Sequence, residues 1–272
     1  TKKEIKGVLI IHTETATGIT NDLSAIRSAI DSANHPGLLI VDTVAAAGTV
    51  DYRMDEWGID ITVGASQKGL MMPPGIGIVA AGEKALSATK DSTMPRLYWD
   101  WKTRLEAEHY RKFCGTAPQL MVFGMREALN MLFEEGLENV FERHRVLAGA
   151  TQAAVEVWGQ AGTLSLNAVE PKERSNGVTT ILTSEGIDAD QFRNICRDEM
   201  MVGLGGGLGD LSGKAFRVGH MGDINAPMLY AALSAVESTL GYLNIKYASG
   251  GVTAAIEYVT DVKKNETGPF SF

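Results

Sequence analysis

The first eighty residues alternate between short apolar runs and amphipathic or polar stretches. The apolar runs predict four buried strands, at residues 8–12, 38–41, 60–64 and 76–80. Between the first two runs, Leu23, Ile26 and Ile30 share one face of a helix that is predicted to begin near Asp22 and to end before Pro36. Buried strands that alternate with helices favour a mostly parallel sheet covered on both faces.

Beyond Pro118 the apolar spacing becomes helical. It predicts one helix from about residue 118 and a second, after Gly136, that runs to Trp158 and bridges two domains. Residues 159–177 are linker-like, and the rest predicts strands at 178–182 and 216–218 and helices at 188–200 and 227–242. We therefore expect a large domain (1–135), an inter-domain helix (136–160) and a small C-terminal α+β domain (161–272).

Composition narrows the class of protein. The chain has 272 residues, of which 44% are hydrophobic and 21% charged, as is typical of a globular enzyme or binding protein. A net charge of −8 argues against nucleic acid or an anionic membrane as a partner, and no apolar run is long enough to span a bilayer. Two cysteines without metal-ligand spacing favour a reduced, cytoplasmic setting.

Polar residues follow three of the predicted strands, where ligands of open α/β sheets bind: the turn 13–17, Asp42 and the run 66–68. Lys68 is either a solvated surface charge or a desolvated amine able to attack a carbonyl, and it lies in an otherwise uncharged stretch from 61 to 81. Asp42 alone is equally consistent with a helix cap or a buried acceptor. As a pair, an amine for the aldehyde carbon and a carboxylate for the ring nitrogen are what pyridoxal phosphate requires.

Several segments resemble class V aminotransferases, in particular the serine–glyoxylate and alanine–glyoxylate branch. The most specific is Ser66-Gln67-Lys68 with Pro73-Pro74-Gly75, and the other segments are 12–18, 41–44, 54–60, 124–129, 136–139 and 217–222. The resemblance implies an α/β, fold-type I transferase with a mostly parallel sheet flanked by helices. It also implies pyridoxal 5'-phosphate, a homodimer with a shared active site, and ping-pong transfer of an amino group from serine or alanine to glyoxylate or a similar 2-oxo acid.

The resemblance also implies roles for the residues that match the family's cofactor site. Lys68 would be the Schiff-base lysine and the proton shuttle. Asp42 would pair with the pyridinium nitrogen, and Val44 would pack on the ring. Thr15 would donate to the phenolic oxygen, and Gln67 would contact the phosphate.

Two further matches extend the site beyond these loops. Thr116 matches a residue that reaches the cofactor phosphate of the neighbouring subunit, although a threonine before Pro118 is also typical of a helix N-cap. Arg217 matches the arginine that clamps the substrate carboxylate, and its alternative is a surface charge. His12 and His220 are interpreted as structural, with a place in the pocket wall as the alternative for His220.

Departures from the family leave other functions open. Family members carry an N-terminal portion with a glycine-rich phosphate-binding turn and a stacking aromatic ring, so the sequence suggests a truncated chain with weakened cofactor binding. Phe113 stands where relatives often have tyrosine. The alternatives are an impaired fragment or another member of the branch, such as a ureidoglycine–glyoxylate aminotransferase.

A Rossmann reductase is disfavoured because the run 203–209 lacks the dinucleotide fingerprint and is expected to be a tight turn. Neither cysteine suits a desulfurase.

Overall fold

The computed structural model describes residues 4–106 and 108–265. Its strands are β1 (Gly7–Ile11), β2 (Thr13–Glu14), β3 (Ile19–Thr20), β4 (Leu38–Asp42), β5 (Ile61–Ala65), β6 (Gly77–Ala81), β7 (Leu164–Leu166), β8 (Val178–Thr183), β9 (Gly205–Gly206) and β10 (Ala215–Gly219). Its helices are α1 (Leu23–Ser32), α2 (Glu83–Ala88), α3 (Trp101–Arg104), α4 (Gln119–Glu135), α5 (Leu137–Trp158), α6 (Ala189–Asp198), α7 (Ala226–Tyr242) and α8 (Gly251–Asn265). Within this part of the chain, no helix is both long and apolar enough to cross a membrane.

The N-terminal sheet has the strand order β1-β4-β5-β6. Its first three strands are parallel and β6 is antiparallel to β5, which confirms the mostly parallel sheet. Helix α1 begins where the Asp22 carboxylate accepts a hydrogen bond from the Ala25 N–H. It then places Leu23 against Leu39 and Val41, which alternate toward one face of β4 and form a small buried core.

The opposite face of this sheet is open. Leu9 is 74% exposed, and Ile11 and Val79 are also exposed. The register aligns Ile11 with Asp42, Val63 and Val79, so the exposed apolar side chains of β1 and β6 lie on the same sheet face as Asp42, turned away from α1. The expectation of cover on both faces is therefore wrong for the described part of the chain.

The C-terminal unit closes around its own core. Its sheet, β7-β8-β10-β9, is antiparallel throughout, as expected of a small α+β unit. Helices α5 to α8 contribute to one large apolar cluster with this sheet. At its centre the fully buried rings of Phe192 and Phe216 stack with their centroids 4.6 Å apart.

Helix α5 connects the two parts of the chain. Gly136, at φ +85°, separates it from α4, a conformation that favours glycine. At its other end the buried Trp158 donates from Nε1 to Glu237 Oε2 at 2.9 Å. Residues 159–177 are not the predicted linker, because they include β7, which pairs with β8. The sequence analysis also left helix α8 unassigned.

Candidate active site

The turn that carries Lys68 is fixed at the carboxyl end of β5. The buried Ser66 donates from Oγ to Pro73 O at 2.7 Å, and the same oxygen accepts the Ile76 N–H at 3.2 Å. The Met71 N–H donates to Lys68 O at 2.9 Å and closes the turn. These bonds within the local sequence hold the backbone on both sides of Lys68.

Two glycines bring the loop after β4 directly onto this turn. A Cβ on Gly69 would lie 2.3 Å from Ala47 O, and a Cβ on Gly48 would lie 2.8 Å from Gly69 O. Gly48 also has φ +80°. Because no side chain separates the two backbones, the loop that follows Asp42 and the turn that holds Lys68 abut.

The side chains of Lys68 and Asp42 differ in how far they are engaged. Lys68 is half-buried, and no group in the described chain hydrogen bonds or ion pairs with its amine. Asp42 is also half-buried, and its Oδ1 accepts the Val44 N–H at 2.8 Å, which fixes the carboxylate in a turn of its own. No described donor reaches Asp42 Oδ2.

The turn that carries Thr15 rests on the C-terminal unit. Thr180 donates from Oγ1 to Ala16 O at 3.1 Å, and Asn167 donates from Nδ2 to Thr17 O at 2.8 Å. Thr15 itself is half-buried and its carbonyl accepts a bond from Arg217 Nη1 at 2.9 Å. The two parts of the chain therefore meet at this turn.

Arg217 lies in the middle of β10 with two of its five N–H donors engaged. Besides the bond to Thr15, Nε donates to Gly206 O at 2.7 Å. No described group accepts a bond from Nη2, so the edge formed by Nη1 and Nη2 keeps free donors for a carboxylate. Burial, and then the nearby Arg193 guanidinium, lowers the pKa of Arg217, while Glu14 opposes that shift.

The glycine run before β10 is part of this arrangement. Gly205 and Gly206 form a short strand paired with β10 rather than the expected tight turn. A Cβ on Gly206 would lie 2.7 Å from Arg193 Nη1, and a Cβ on Gly205 would lie 3.2 Å from the Cβ of Arg217. Glycine therefore lets two arginine side chains approach this strand closely, and the sequence analysis missed Arg193.

Of the remaining predicted residues, Val44 and Gln67 lie in the two loops just described, and Thr116 lies apart from them. Val44 is half-buried and Gln67 is exposed beside Lys68. Thr116 is exposed, and no contact in the described chain joins it to Lys68, Asp42 or Thr15. Its alternative role as a helix cap is wrong, because α4 has Pro118 at its cap position and no side chain caps it.

His220 does not line the pocket. It is fully buried, donates from Nδ1 to Asn176 O at 2.8 Å and accepts from Thr179 Oγ1 at 2.9 Å through Nε2. Burial lowers its pKa to about 4. The alternative place in the pocket wall is thus wrong, and the structural interpretation is confirmed.

His12 is likewise a core side chain. It packs within 6.2 Å of the rings of Tyr52 and Trp57. Burial lowers the pKa of His12 to about 4, against the opposing charge of Asp51.

The donors present fit pyridoxal phosphate better than a metal ion. An amine without a partner, a carboxylate with a free oxygen and an arginine with a free edge match its aldehyde, its ring nitrogen and an acid substrate. Among residues 4–106 and 108–265, no group of three histidine, cysteine or carboxylate side chains could hold a metal.

Solved structures identify the fold. Pyridoxamine–pyruvate aminotransferase from Mesorhizobium loti matches with a TM-score of 0.86 and 29% identity, over 96% of this chain and 66% of that chain. Ureidoglycine–glyoxylate aminotransferase from Bacillus subtilis matches with a TM-score of 0.82 and 29% identity, again over 96% and 66%. The architecture is that of the fold-type I pyridoxal-phosphate-dependent transferases.

Sequence comparison then gives the family. The sequence model described as Aminotransferase class-V matches residues 1–209, and the chain belongs to that family. It is 41% identical over 264 residues to the serine–glyoxylate aminotransferase of Methylorubrum extorquens. It is 39% identical over 256 residues to the L-aspartate–glyoxylate aminotransferase of Paracoccus denitrificans. The chain spans 65% and 64% of the length of these two relatives, and 95% and 94% of this chain is matched.

Proposed function

We propose that this protein is a pyridoxal-phosphate-dependent aminotransferase that moves an amino group from a small amino acid to glyoxylate or a similar 2-oxo acid in a ping-pong cycle. The observation that carries the proposal is the abutment of the Asp42 and Lys68 loops, with Arg217 bonded to the neighbouring Thr15 turn. Family membership supports the same chemistry.

Each of these residues has a defined task in the proposed reaction. Asp42 holds the proton on the ring nitrogen, and Lys68 secures the cofactor through its amine. When bound, the cofactor supplies an electron sink for the charge that develops at the substrate Cα. Lys68 takes the Cα proton and returns it, while Arg217 binds the substrate carboxylate and orients the Cα toward that amine.

The remaining cofactor contacts are assigned from the family resemblance. Thr15 donates to the phenolic oxygen of the ring, Val44 packs on one ring face, and Gln67 contacts the phosphate. Three observations support these roles: Gln67 adjoins Lys68, the Val44 N–H is bonded to Asp42, and the Thr15 carbonyl is bonded to Arg217.

The acceptor is better supported than the donor. Relatives named for serine, L-aspartate and alanine as donors all share glyoxylate as the acceptor. We propose serine or alanine as the donor, because Arg217 supplies one carboxylate site and a small substrate needs only one. Half-reactions with serine, alanine and aspartate, followed by glyoxylate or pyruvate, would rank these substrates.

The first experiment is a visible absorption spectrum after incubation with pyridoxal phosphate, followed by borohydride reduction and peptide mapping. A yellow protein whose reduced adduct maps to Lys68 would support the assignment. The Lys172→Ala variant is the matched control, since this lysine is exposed and has no hydrogen bond to Lys68, Asp42 or Arg217 in the described part of the chain. An adduct that maps elsewhere, or a colourless protein, would contradict the proposal.

A homodimer completes the proposed site. Large apolar side chains between residues 94 and 133 are open to solvent, among them Leu97, Trp99, Leu120 and Phe123. A second copy of the chain would cover them and would bring its Thr116 to the cofactor phosphate. Light scattering should give a dimer mass for the wild-type chain and a monomer mass for Phe123→Glu, and a wild-type monomer would refute this part.

A further inference from the structure

An ion pair between the buried Arg143 of α5 and the half-buried Glu135 at the end of α4 has no part in the proposed chemistry. Arg143 is 5% exposed, and its Nε and Nη2 donate to the two carboxylate oxygens of Glu135 at 2.7 and 2.9 Å. Its Nη1 donates to Gly222 O at 2.7 Å and to Ile224 O at 3.2 Å. All three guanidinium nitrogens are thus engaged, two of them by a single carboxylate.

The next residue of α5 holds the same glycine from its other side. His144 is fully buried, donates from Nδ1 to Val140 O at 2.7 Å, and accepts the Gly222 N–H at 3.0 Å through Nε2. Both backbone groups of Gly222 are therefore bonded to adjacent side chains of one helix. Gly222 has φ +94°, a conformation that few other residues adopt.

Residues 219–224, here called the exit segment, follow β10 and lie between the two halves of the proposed site. At one end the segment continues directly from the strand of Arg217. At the other, a Cβ on Gly222 would lie 3.7 Å from Met71 Cγ, and the Met71 N–H closes the turn that carries Lys68. The exit segment thus lies beside the lysine turn while it is bonded to α5.

We propose that Arg143 and His144 are positioning residues that hold the exit segment against α5 and so set the placement of Arg217 relative to Lys68. This inference rests on the proposed aminotransferase function. Neither residue touches the substrate. Arg143 acts through Gly222 and Ile224, and His144 acts through Gly222 alone, so a side chain that restores the one bond between residue 144 and Gly222 should restore the function.

A matched pair of variants tests the role of His144. His144→Leu keeps the site apolar but leaves the Gly222 N–H without an acceptor, whereas His144→Gln offers an amide oxygen in its place. For the Leu variant we expect the KM of both carboxylate substrates to rise about ten-fold with a smaller change in kcat, because a displaced clamp weakens substrate binding. The Gln variant should stay near the wild-type values.

A second readout needs neither cofactor nor activity. Hydrogen–deuterium exchange of a peptide covering residues 219–224 should be about ten-fold faster in His144→Leu than in the wild type and in His144→Gln. If the Leu variant does not fold, Glu135→Gln replaces it in both measurements, since it removes the charge that orients Arg143 while keeping the side-chain shape.

The outcomes separate the two proposals. Faster exchange with an unchanged KM would overturn the positioning role, and unchanged exchange would overturn the contact itself. A wild-type chain that binds pyridoxal phosphate but does not transaminate would contradict the proposed function. Hydrogen–deuterium exchange alone would then decide whether Arg143 and His144 hold the exit segment.

Discussion

The C-terminal unit and the N-terminal sheet differ in whether their large apolar side chains are buried within the described part of the chain. In the C-terminal unit, the rings of Trp158, Phe192 and Phe216 are completely buried within elements of the same unit. In the N-terminal part, one sheet face exposes Leu9, and the region around α4 exposes Leu120 at 87%. Single exposed apolar residues are ordinary, but exposed apolar side chains in this number are typical of interaction surfaces, in line with the homodimer proposed above.

The proposed site draws on both kinds of region. Arg217 lies on a strand whose neighbours are packed in the closed core, so its backbone is held by its own unit. Lys68 and Asp42 lie on loops of the open sheet, where hydrogen bonds and glycine contacts, rather than a large core, hold the backbone. The geometry of the lysine side therefore depends on local bonds, and the geometry of the arginine side depends on packing.

The largest expected effect comes from removing chemistry without touching either core. Lys68→Ala should lower the transamination rate by at least about 10³-fold, because the group that moves the Cα proton is lost. The thermal midpoint should stay close to that of the wild type, since Lys68 has no partner in the described chain. Wild-type turnover in this variant, measured beside Lys172→Ala, would show the central assignment to be wrong.

A pair of phenylalanine variants tests the contrast between the two regions directly. Phe192→Ala should reduce the free energy of unfolding by about 3–5 kcal/mol, because it leaves a cavity in a closed core. Phe123→Ala, at a side chain that is 65% exposed, should change the free energy of unfolding of the monomer by less than about 0.5 kcal/mol. Urea unfolding measures the free energy of unfolding of each variant. Similar decreases in Phe192→Ala and Phe123→Ala would contradict the difference proposed between the two regions.

Much of the fold could be predicted from the sequence, since apolar runs and helical spacing report burial within a single segment. The predicted strands and helices from β1 to α7 lie within two residues of the observed ones. Two things could not be read in this way. The short β7 has little periodicity of its own and is a strand because it pairs with β8. The apolar pattern also predicts that the open sheet face is buried. Such a pattern does not show whether the residues that bury a face belong to the described part of the chain.

The candidate site was predictable to a lesser degree. Lys68 and Asp42 stand at strand ends, which periodicity locates, and a family motif marks Arg217. Arg143 and His144 were missed because they lie beside Glu142 and Arg145 in a charged stretch of α5, which is typical of a solvent-exposed helix face. Their partner, Gly222, is 79 and 78 residues away along the chain. Only the tertiary fold shows that such polar residues are paired rather than exposed.

Buried histidines make the stability of the chain depend on pH. Burial lowers the pKa of His12, His144 and His220 from 6.5 to about 4. Between these values the unfolded chain binds more protons than the folded one, so stability is complete above about pH 6.5 and is lost as the pH falls toward 4. One pKa unit corresponds to about 1.4 kcal/mol, so His144 alone should account for roughly 2–3 kcal/mol of the loss at pH 4.

The contribution of His144 is isolated by comparing it with His144→Gln. Around this imidazole, the Val140 carbonyl and Glu135 favour protonation and Arg143 opposes it, while burial remains the largest effect. In urea unfolding at several pH values between 4 and 7, the free energy of unfolding should fall less steeply toward pH 4 in the Gln variant than in the wild type. Parallel curves for the two proteins would mean that His144 does not titrate in this range.

The smallest effect that we expect concerns the arginine side alone. Arg217→Lys replaces a planar guanidinium with a compact ammonium group and removes the bonds to Gly206 and Thr15. The KM of the amino-acid and 2-oxo-acid substrates should therefore rise about ten-fold. Arg197→Lys, at an exposed salt bridge with Asp198, is the matched control and should leave KM unchanged. Because β10 is held by the closed core, exchange in residues 219–224 should not change in Arg217→Lys, unlike in His144→Leu. If exchange in residues 219–224 rose equally in Arg217→Lys and His144→Leu, the backbone around Arg217 would be held by the bonds of Arg217 to the Thr15 turn. The proposed difference between a lysine side held by local bonds and an arginine side held by core packing would then be wrong.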